Sequence, residues 1–332
     1  MDKIENIEYS VFNYDSTYGS TRLEINIKGS NINYVILNTI RRSVLSYIPN
    51  YAFTQFNFKK NTSIFNNNYL KLRISNLPVW GIENTIEILS DEKKLETIQE
   101  IDYENDEDDI EIEENININS SSLEQLTMYV DYTSDKKEII TVTTDNAKFY
   151  FGQSSITNPY NIPIPLVKLQ PNQTIQFSVV TTVGIEAQNS IYSIVSVCFY
   201  KQIKENEFIF ILESRTTITE KKIIEIAIIN IINKLKNIAK MIPKEQISVK
   251  GEILIENEDH TIGNLLTTGL QQHKKVKFAG YNVPHLLENN VKIHYELIND
   301  SILINDIIND VVKYYIDIYS ILIKKNKQIE LN

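Results

Sequence analysis

The residues that most often perform chemistry near neutral pH, histidine and cysteine, are few in this sequence. The histidines are His260, His273, His285 and His294, and the single cysteine is Cys198. Histidines separated by 13, 12 and 9 residues do not match the usual ligand spacing of zinc sites, and one thiol forms neither an intramolecular disulfide nor a cysteine-built metal cluster. We therefore expect no metal and no other cofactor, with the histidines in capping and surface positions; a zinc site is the alternative.

Other signatures of catalysis are also missing from the sequence. It contains no glycine-rich phosphate-binding loop, no nucleophile elbow and no paired carboxylates at a recognisable spacing. The net charge of −10 and the pI near 5.1 argue against direct binding of nucleic acid. No run of about 18 apolar residues predicts a membrane span, and the first residues lack the pattern of a signal peptide. These features indicate a non-enzymatic chain that contacts neither nucleic acid nor membrane directly.

A pair of arginines is the most prominent chemical feature of the first 50 residues. Arg41 and Arg42 lie in a segment with helical periodicity that runs from about residue 33 until Pro49 stops it. The apolar stripe of this helix consists of Ile36, Ile40, Val44 and Ile48. The arginines flank that stripe, and the pattern by itself indicates a solvated basic edge of an amphipathic helix.

Two long helices with broad apolar faces are predicted further along the chain. The first spans residues 220–241 and the second spans 304–324. Faces of this width must be buried against other elements, and the second helix has the alternating spacing of a helix-pairing seam. The residues on these faces are Ile224, Ile228, Ile231 and Leu235 in the first helix, and Val311, Tyr315, Ile318 and Leu322 in the second.

A shorter helix is predicted between them, beginning after Asp259. An aspartate at this position is a good N-cap, because its carboxylate accepts hydrogen bonds from free backbone N–H groups. Leu265 and Leu266 lie on the apolar face of the helix. Gly263 lies inside it at a cost of about 1 kcal/mol, which predicts that another backbone passes close by.

The segment from residue 96 to 118 is strongly acidic. Its centre, Asp106-Glu107-Asp108-Asp109, consists of four consecutive carboxylates, and no lysine or arginine follows before Lys136. A metal site is one interpretation of this cluster. The repulsion between like charges and the polar composition favour a solvated loop instead. We expect this loop to be dispensable for folding.

Three stretches of the sequence resemble the α-like assembly subunits of multisubunit RNA polymerases. Residues 259–266, Asp-His-Thr-Ile-Gly-Asn-Leu-Leu, and 278–285, Phe-Ala-Gly-Tyr-Asn-Val-Pro-His, are similar to the archaeal L subunit and its eukaryotic counterparts almost letter for letter. Residues 38–42, Asn-Thr-Ile-Arg-Arg, with the proline at position 49, resemble bacterial α, archaeal D and the third subunit of RNA polymerase II. The first resemblance covers about the last quarter of the chain.

This resemblance implies specific contacts for individual residues. In the family, the helix with the arginine pair faces the large catalytic subunits, so Asn38, Arg41 and Arg42 form the implied large-subunit interface. The two α-like partners of the family pair with each other, which implies a pairing surface inside this chain. Its implied members are Ile36, Ile40, Val44, Ile224, Ile228, Ile231, Leu235, His260, Gly263, Asn264, Leu265, Leu266, Gly280, Tyr281, Pro284, Val311, Tyr315, Ile318 and Leu322.

One chain thus resembles both halves of what are usually two separate subunits. Its 332 residues suffice for two or three domains. We expect an α+β fold in which two α-like dimerisation units form an intrachain pseudo-dimer, with a β-rich insert domain. The expected division is 1–75 plus 170–241 for the first unit, 76–169 for the insert and 242–332 for the second unit.

The function implied by the resemblance is that of a non-catalytic scaffold subunit of a DNA-directed RNA polymerase, which nucleates association of the large catalytic subunits. The implied partners are the largest and second-largest subunits and small subunits resembling the tenth and twelfth of RNA polymerase II, with one copy of this chain per complex. Nucleic acid would be contacted only indirectly.

The source and compartment are a further expectation, and two other functions stay open. The fusion and the abundance of Ile, Asn and Lys resemble large DNA viruses. Such an origin implies the host cytoplasm or a viral factory, with the virion and the nucleus as alternatives. A small-ligand enzyme on an α+β fold and an independent protein-interaction factor are the competing interpretations.

Overall fold

The computed structural model describes residues 4, 7–15, 21–80, 125–242, 249–285, 289–299 and 303–329. This part of the chain forms fourteen strands and five α-helices, so the expected α+β class is confirmed. The chain divides into two compact units, of which the first comprises 1–48, 194–214 and 218–332, and the second comprises 49–193 and 215–217. The acidic segment 96–118 lies outside the described residues.

The first unit begins with a four-stranded antiparallel sheet. Its strands are β1 (Glu8–Asp15), β2 (Arg22–Lys28), β10 (Val195–Lys204) and β11 (Glu207–Ser214), in the order β1-β2-β11-β10. Leu23 and Ile25 of β2 lie opposite Leu212 and Phe210 of β11, and all four side chains are buried. Because successive side chains of a strand point to opposite faces, this alternation gives the sheet one core-facing side.

Two helices pack against this sheet and against each other. They are α1 (Tyr34–Ser46) and α3 (Glu220–Met241). The side chain of Asn33 caps α1 by accepting a 3.0 Å hydrogen bond from the backbone N–H of Ile36. The hydroxyl of Ser43 donates to the carbonyl of Ala227 at 3.1 Å. Because Ser43 and Ala227 have small side chains, α1 and α3 approach each other closely at this point.

The rest of the first unit is a three-stranded antiparallel sheet with two helices. In chain order its elements are β12 (Lys250–Glu256), α4 (His260–Gln272), β13 (Val276–Asn282), β14 (Asn290–Leu297) and α5 (Ile304–Gln328). The sheet order is β12-β14-β13. Helix α4 packs on β13 and β14, and α5 packs on both α4 and α3.

One hydrophobic core joins these two parts of the first unit. It contains side chains from both sheets and from α1, α3, α4 and α5. Burying each Val, Leu or Ile contributes about 1.5–3 kcal/mol, so each part stabilises the other. The predicted pairing residues that belong to this core are Ile36, Ile40, Val44, Ile224, Ile228, Ile231, Leu235, Leu265, Leu266, Val311, Tyr315, Ile318 and Leu322.

The second unit is a separate β-rich body with its own core. Its main sheet has the order β3-β9-β4-β6-β7, and β5 pairs with β8 in a second, two-stranded sheet. Phe53, Met128, Phe149 and Phe177 are fully buried members of the core. The elements are β3 (Pro49–Asn61), α2 (Asn67–Ser75), β4 (Leu126–Thr133), β5 (Ile140–Thr143), β6 (Ala147–Phe151), β7 (Ser154–Ile156), β8 (Pro165–Leu169) and β9 (Thr174–Ile185).

The observed division differs from the expected boundaries at β3 and β9. Residues 49–75 and 170–193 were expected in the first α-like unit, whereas the structure groups them with the insert. The reason is that β9 pairs with β3 on one edge and with β4, an insert strand, on the other. Alternation predicts that a strand exists, but it does not specify its neighbours, so the boundary could not be placed from the pattern.

Candidate assembly interface

The N-terminal end of α4 carries a cluster of polar contacts with α1. Asp259 is the N-cap, as predicted, and its Oδ1 accepts a 2.7 Å hydrogen bond from the backbone N–H of Thr261. Its Oδ2 accepts a 2.8 Å hydrogen bond from Nη2 of Arg42, and Nε of Arg42 donates to Oγ1 of Thr261 at 2.7 Å. Arg42 therefore holds the first turn of α4 at two points.

A second ion pair lies nearby, between α3 and the residue that precedes the N-cap. Nζ of Lys234 is 2.8 Å from Oε2 of Glu258, and the two side chains are 17% and 10% exposed. The same ammonium group lies 4.2 Å from the ring centroid of Tyr47, which is cation–π distance. Low exposure reduces screening by solvent, so removing either charge would cost more than it does for a surface pair.

The pKa values of two groups reflect this environment. Burial by itself would raise the pKa of Asp259, but hydrogen bonds from Thr261, Tyr47 and Arg42 outweigh it and lower the pKa to about 2. Burial and then the negative charge of Asp259 raise the pKa of the Tyr47 hydroxyl. At neutral pH Asp259 is thus a carboxylate that pairs with the Arg42 guanidinium.

We expect the stability contributed by the Asp259 charge to be lost in acid. Its folded-state pKa of about 2 lies below the unfolded value of about 3.9, so the contribution is complete above about pH 5 and is lost as the pH falls through the folded pKa. Allowing for partial exposure, it amounts to about 1–2 kcal/mol. Urea unfolding of the wild type and Asp259→Asn measures it, because asparagine retains the cap. A stability difference equal at pH 7 and pH 3 would contradict this assignment.

Helix α5 is also bonded to β1 and α3 through its last turns. Asn326 is buried, its Oδ1 accepts a 3.0 Å hydrogen bond from the Tyr9 hydroxyl, and its Nδ2 donates to the carbonyl of Lys221 at 2.8 Å. Nζ of Lys327 lies 3.0 Å from Oε1 of Glu225. The apolar periodicity predicts that the helix ends near residue 324. These contacts explain why it continues to residue 328.

The glycines of α4 lie where other side chains approach the helix closely. A Cβ at Gly263 would lie 2.8 Å from the ring of Tyr281 and 2.8 Å from Cγ1 of Val291. The close approach predicted here is therefore made by side chains of β13 and β14, and the expectation of a neighbouring backbone is wrong. A Cβ at Gly269 would lie 2.5 Å from Cγ1 of Val311 on α5. Packing, and not backbone conformation, requires glycine at both positions.

The other predicted members of the pairing surface are less buried. His260 and Pro284 are exposed, whereas Asn264, Gly280 and Tyr281 are partly buried. The imidazole of His260 contacts the ring of Tyr281 edge-on, with 5.8 Å between the ring centroids. A role in pairing stays a prediction for these five residues.

The residues predicted to face the large subunits separate into two environments. Arg42 contacts α4, as described above. Nε of Arg41 donates to Oδ1 of Asn38, one turn earlier on α1, at 3.1 Å. The implied role of Arg42 at an external interface therefore competes with contacts that it already makes inside the chain.

The described residues offer little that supports catalysis. Among them, no three histidine, cysteine or acidic side chains are grouped closely enough to hold a metal ion. Burial raises the pKa of the Cys198 thiol to about 12, with a smaller opposing effect of Arg41, so the thiol is not a nucleophile at neutral pH. Within the described part of the chain, no helix has both the length and the apolar character needed to cross a membrane.

An open depression of about 670 Å³ lies on the four-stranded sheet. Apolar side chains, including those of Phe12, Phe199 and Ile209, form much of its lining, and Glu24 and Glu207 are its acidic members. Neither histidine nor cysteine lines it among the described residues. This composition does not provide a nucleophile with an adjacent base.

Comparison with known proteins identifies relatives of this chain. Residues 250–325 match the family profile of the RNA polymerase Rpb3/Rpb11 dimerisation domain, and this range extends from β12 into α5. Over 322 residues, which are 90% of this chain and 88% of the relative, the sequence is 26% identical to a protein of Acanthamoeba polyphaga mimivirus named as a DNA-directed RNA polymerase subunit. The resemblance to RNA polymerase assembly subunits is confirmed, and a viral relative is consistent with the expected origin.

Shorter matches connect the chain to cellular polymerases. It is 47% identical over 47 residues to RNA polymerase II subunit rpb11 of Dictyostelium discoideum and 39% identical over 49 residues to RNA polymerase subunit Rpo11 of Thermococcus kodakarensis. These matches cover 14% and 15% of this chain, and they span 39% and 52% of the two relatives. The chain thus matches about half or less of the length of these cellular relatives.

Proposed function

We propose that this chain is a non-catalytic assembly subunit of a DNA-directed RNA polymerase and that it supplies both members of the α-like pair. One observation carries the proposal. The segment that matches the dimerisation domain, residues 250–325, packs through α4 and α5 into a core that it shares with α1 and α3. This packing supports the proposal that the same chain supplies the partner surface that a dimerisation domain requires.

In this proposal the paired units form a surface on which the large subunits assemble. The partners are the largest and second-largest polymerase subunits and small subunits similar to the tenth and twelfth of RNA polymerase II, with one copy of this chain per complex. The mimivirus relative supports a viral origin, and such an origin implies a polymerase that works in the host cytoplasm or a viral factory. The small-ligand enzyme is less well supported, because the depression on the four-stranded sheet lacks the side chains of a catalytic site among the described residues.

Reconstitution with the two large subunits from the same source tests the proposal. Co-expressed with them, the full chain is expected to elute in one complex that contains all three proteins. The matched control is a chain that ends at residue 242 and lacks the dimerisation domain, and it is expected to assemble poorly. Equal assembly by the shortened chain, or none by the full chain, would overturn the proposal.

A further inference from the structure

Three ion pairs among the described residues join the two parts of the first unit. The first part consists of β1, β2, α1, β10, β11 and α3, and the second part consists of the elements from β12 to α5. The pair formed by Lys234 and Glu258 is the least exposed of the three, and the pair formed by Glu225 and Lys327 contains the most exposed side chain. Screening by solvent is therefore weakest between Lys234 and Glu258.

Each charge of the Lys234–Glu258 pair is held in place by its own part of the chain. The ammonium group of Lys234 lies over the ring of Tyr47, the C-cap of α1, so two elements of the first part determine its position. In the second part, the backbone N–H of Glu258 donates to the carbonyl of Asn289 at 2.9 Å, which fixes Glu258 beside the start of β14. The two charges therefore meet in one relative position of the two parts.

An ion pair with so little contact with solvent distinguishes between partners more than it stabilises the pair itself. The attraction between its charges is largely offset by their loss of hydration, so the net gain in stability is small. If the partner lacks one of the charges, the other charge stays poorly hydrated and unpaired, and a like charge in that place adds repulsion. Specificity is such a difference in free energy between a correct and a wrong partner.

We propose that the ion pair between Lys234 and Glu258 determines which dimerisation domain the first part of the chain accepts. The first part selects a domain that has a carboxylate immediately before the N-cap of the helix equivalent to α4. It rejects a domain that has a neutral or basic residue at that position, so other dimerisation domains in the same compartment do not replace the second part. This inference rests on the proposed function, because it treats the two parts as a pair of α-like units.

Exchange of parts between two forms of the chain tests this selection. The wild type and the isotope-labelled double variant Lys234→Glu/Glu258→Lys are each purified as full chains and then cut by a protease at a site placed between residues 242 and 249. The two cut proteins are unfolded in urea and refolded together, and native mass spectrometry counts the resulting pairs. Random pairing would make about half of all pairs hybrids of the two forms. Because like charges meet in both hybrids, we expect hybrids to be less than about a tenth of all pairs.

The matched control exchanges the charges of the more exposed ion pair. The double variant Glu225→Lys/Lys327→Glu, treated in the same way, is expected to form hybrids with the wild type in close to half of all pairs, because solvent screens the charge of Lys327. Hybrids near one half for the Lys234→Glu/Glu258→Lys variant, or equal depletion in both experiments, would overturn the selection. If the two parts of the wild type separate after cutting, the proposed pairing of α-like units fails.

Urea unfolding of the uncut chain tests the ion pair without refolding from two pieces. Lys234→Met and Glu258→Gln each leave the other member of the pair without its partner, so each is expected to lower the unfolding midpoint. The variant with both substitutions lacks both charges, and its midpoint is expected to return close to that of the wild type. A loss in this double variant equal to the sum of the two single losses would show that the charges do not act on each other, and it would overturn the proposal.

Discussion

Expressed together as two separate chains, residues 1–242 and 249–332 are expected to co-purify, and Ile318→Asp in the second chain is expected to abolish this. Ile318 lies on α5, is fully buried and belongs to the core that both parts of the first unit share. Burying a carboxylate among apolar side chains costs on the order of 4 kcal/mol or more. That is a large share of the stability of a typical domain, about 5–15 kcal/mol.

The control for this experiment is on the same helix. Lys313→Asp changes a charge at an exposed position of α5, and surface substitutions usually alter stability by about 0.5 kcal/mol or less. The Lys313→Asp chain should therefore still co-purify with residues 1–242. Recovery of the Ile318→Asp chain in equal amounts would mean that the seam on α5 does not hold the two parts together.

Gly269→Val is expected to destabilise the chain by about 2–3 kcal/mol, although replacing a helix glycine normally favours folding. A Cβ at this position would lie 2.5 Å from Cγ1 of Val311 and 2.8 Å from the ring of Tyr315. Non-bonded carbon atoms do not approach so closely, so α5 would have to move away from α4. Thermal and urea unfolding of the purified protein measure the effect.

A second substitution distinguishes this packing explanation from a general intolerance of the site. Val311→Ala removes the nearest clashing methyl group and by itself should cost stability, because it leaves a cavity. The stability loss of the double variant should therefore be clearly smaller than the sum of the losses of the two single variants. Strict additivity would show that the side chain introduced at position 269 and the side chain of Val311 do not compete for the same space.

Four of the five α-helices in the described part of the chain were predictable from the sequence, because their apolar residues repeat with the helical period, whereas the short helix α2 was not predicted. The predicted helix from about residue 33 corresponds to α1, and Asp259 caps α4 as its position before an apolar run indicates. The end of α5 was placed too early because Asn326 and Lys327 are polar. Their contacts with Tyr9 and with Glu225 extend the helix, and periodicity contains no information about them.

Contacts between distant residues were beyond prediction from the single sequence. Arg42 and Asp259 are 217 positions apart, so no local pattern associates them, and the family resemblance pointed Arg42 outwards. The same limit applies to β9, whose two neighbours decide the boundary between the compact units. The pair formed by Lys234 and Glu258 could have been suspected only as two charges beside apolar faces. Composition and spacing thus predict elements and caps, whereas partners require the structure.

The most direct test of the central claim is the subunit composition of the native polymerase, purified through a tag on one of its large subunits and quantified by mass spectrometry. We expect one copy of this chain per complex and no separate subunit carrying an Rpb3/Rpb11 dimerisation domain, because residues 250–325 already provide one. A complex that lacks this chain, or one in which a second dimerisation-domain subunit is present in equal amount, would contradict it.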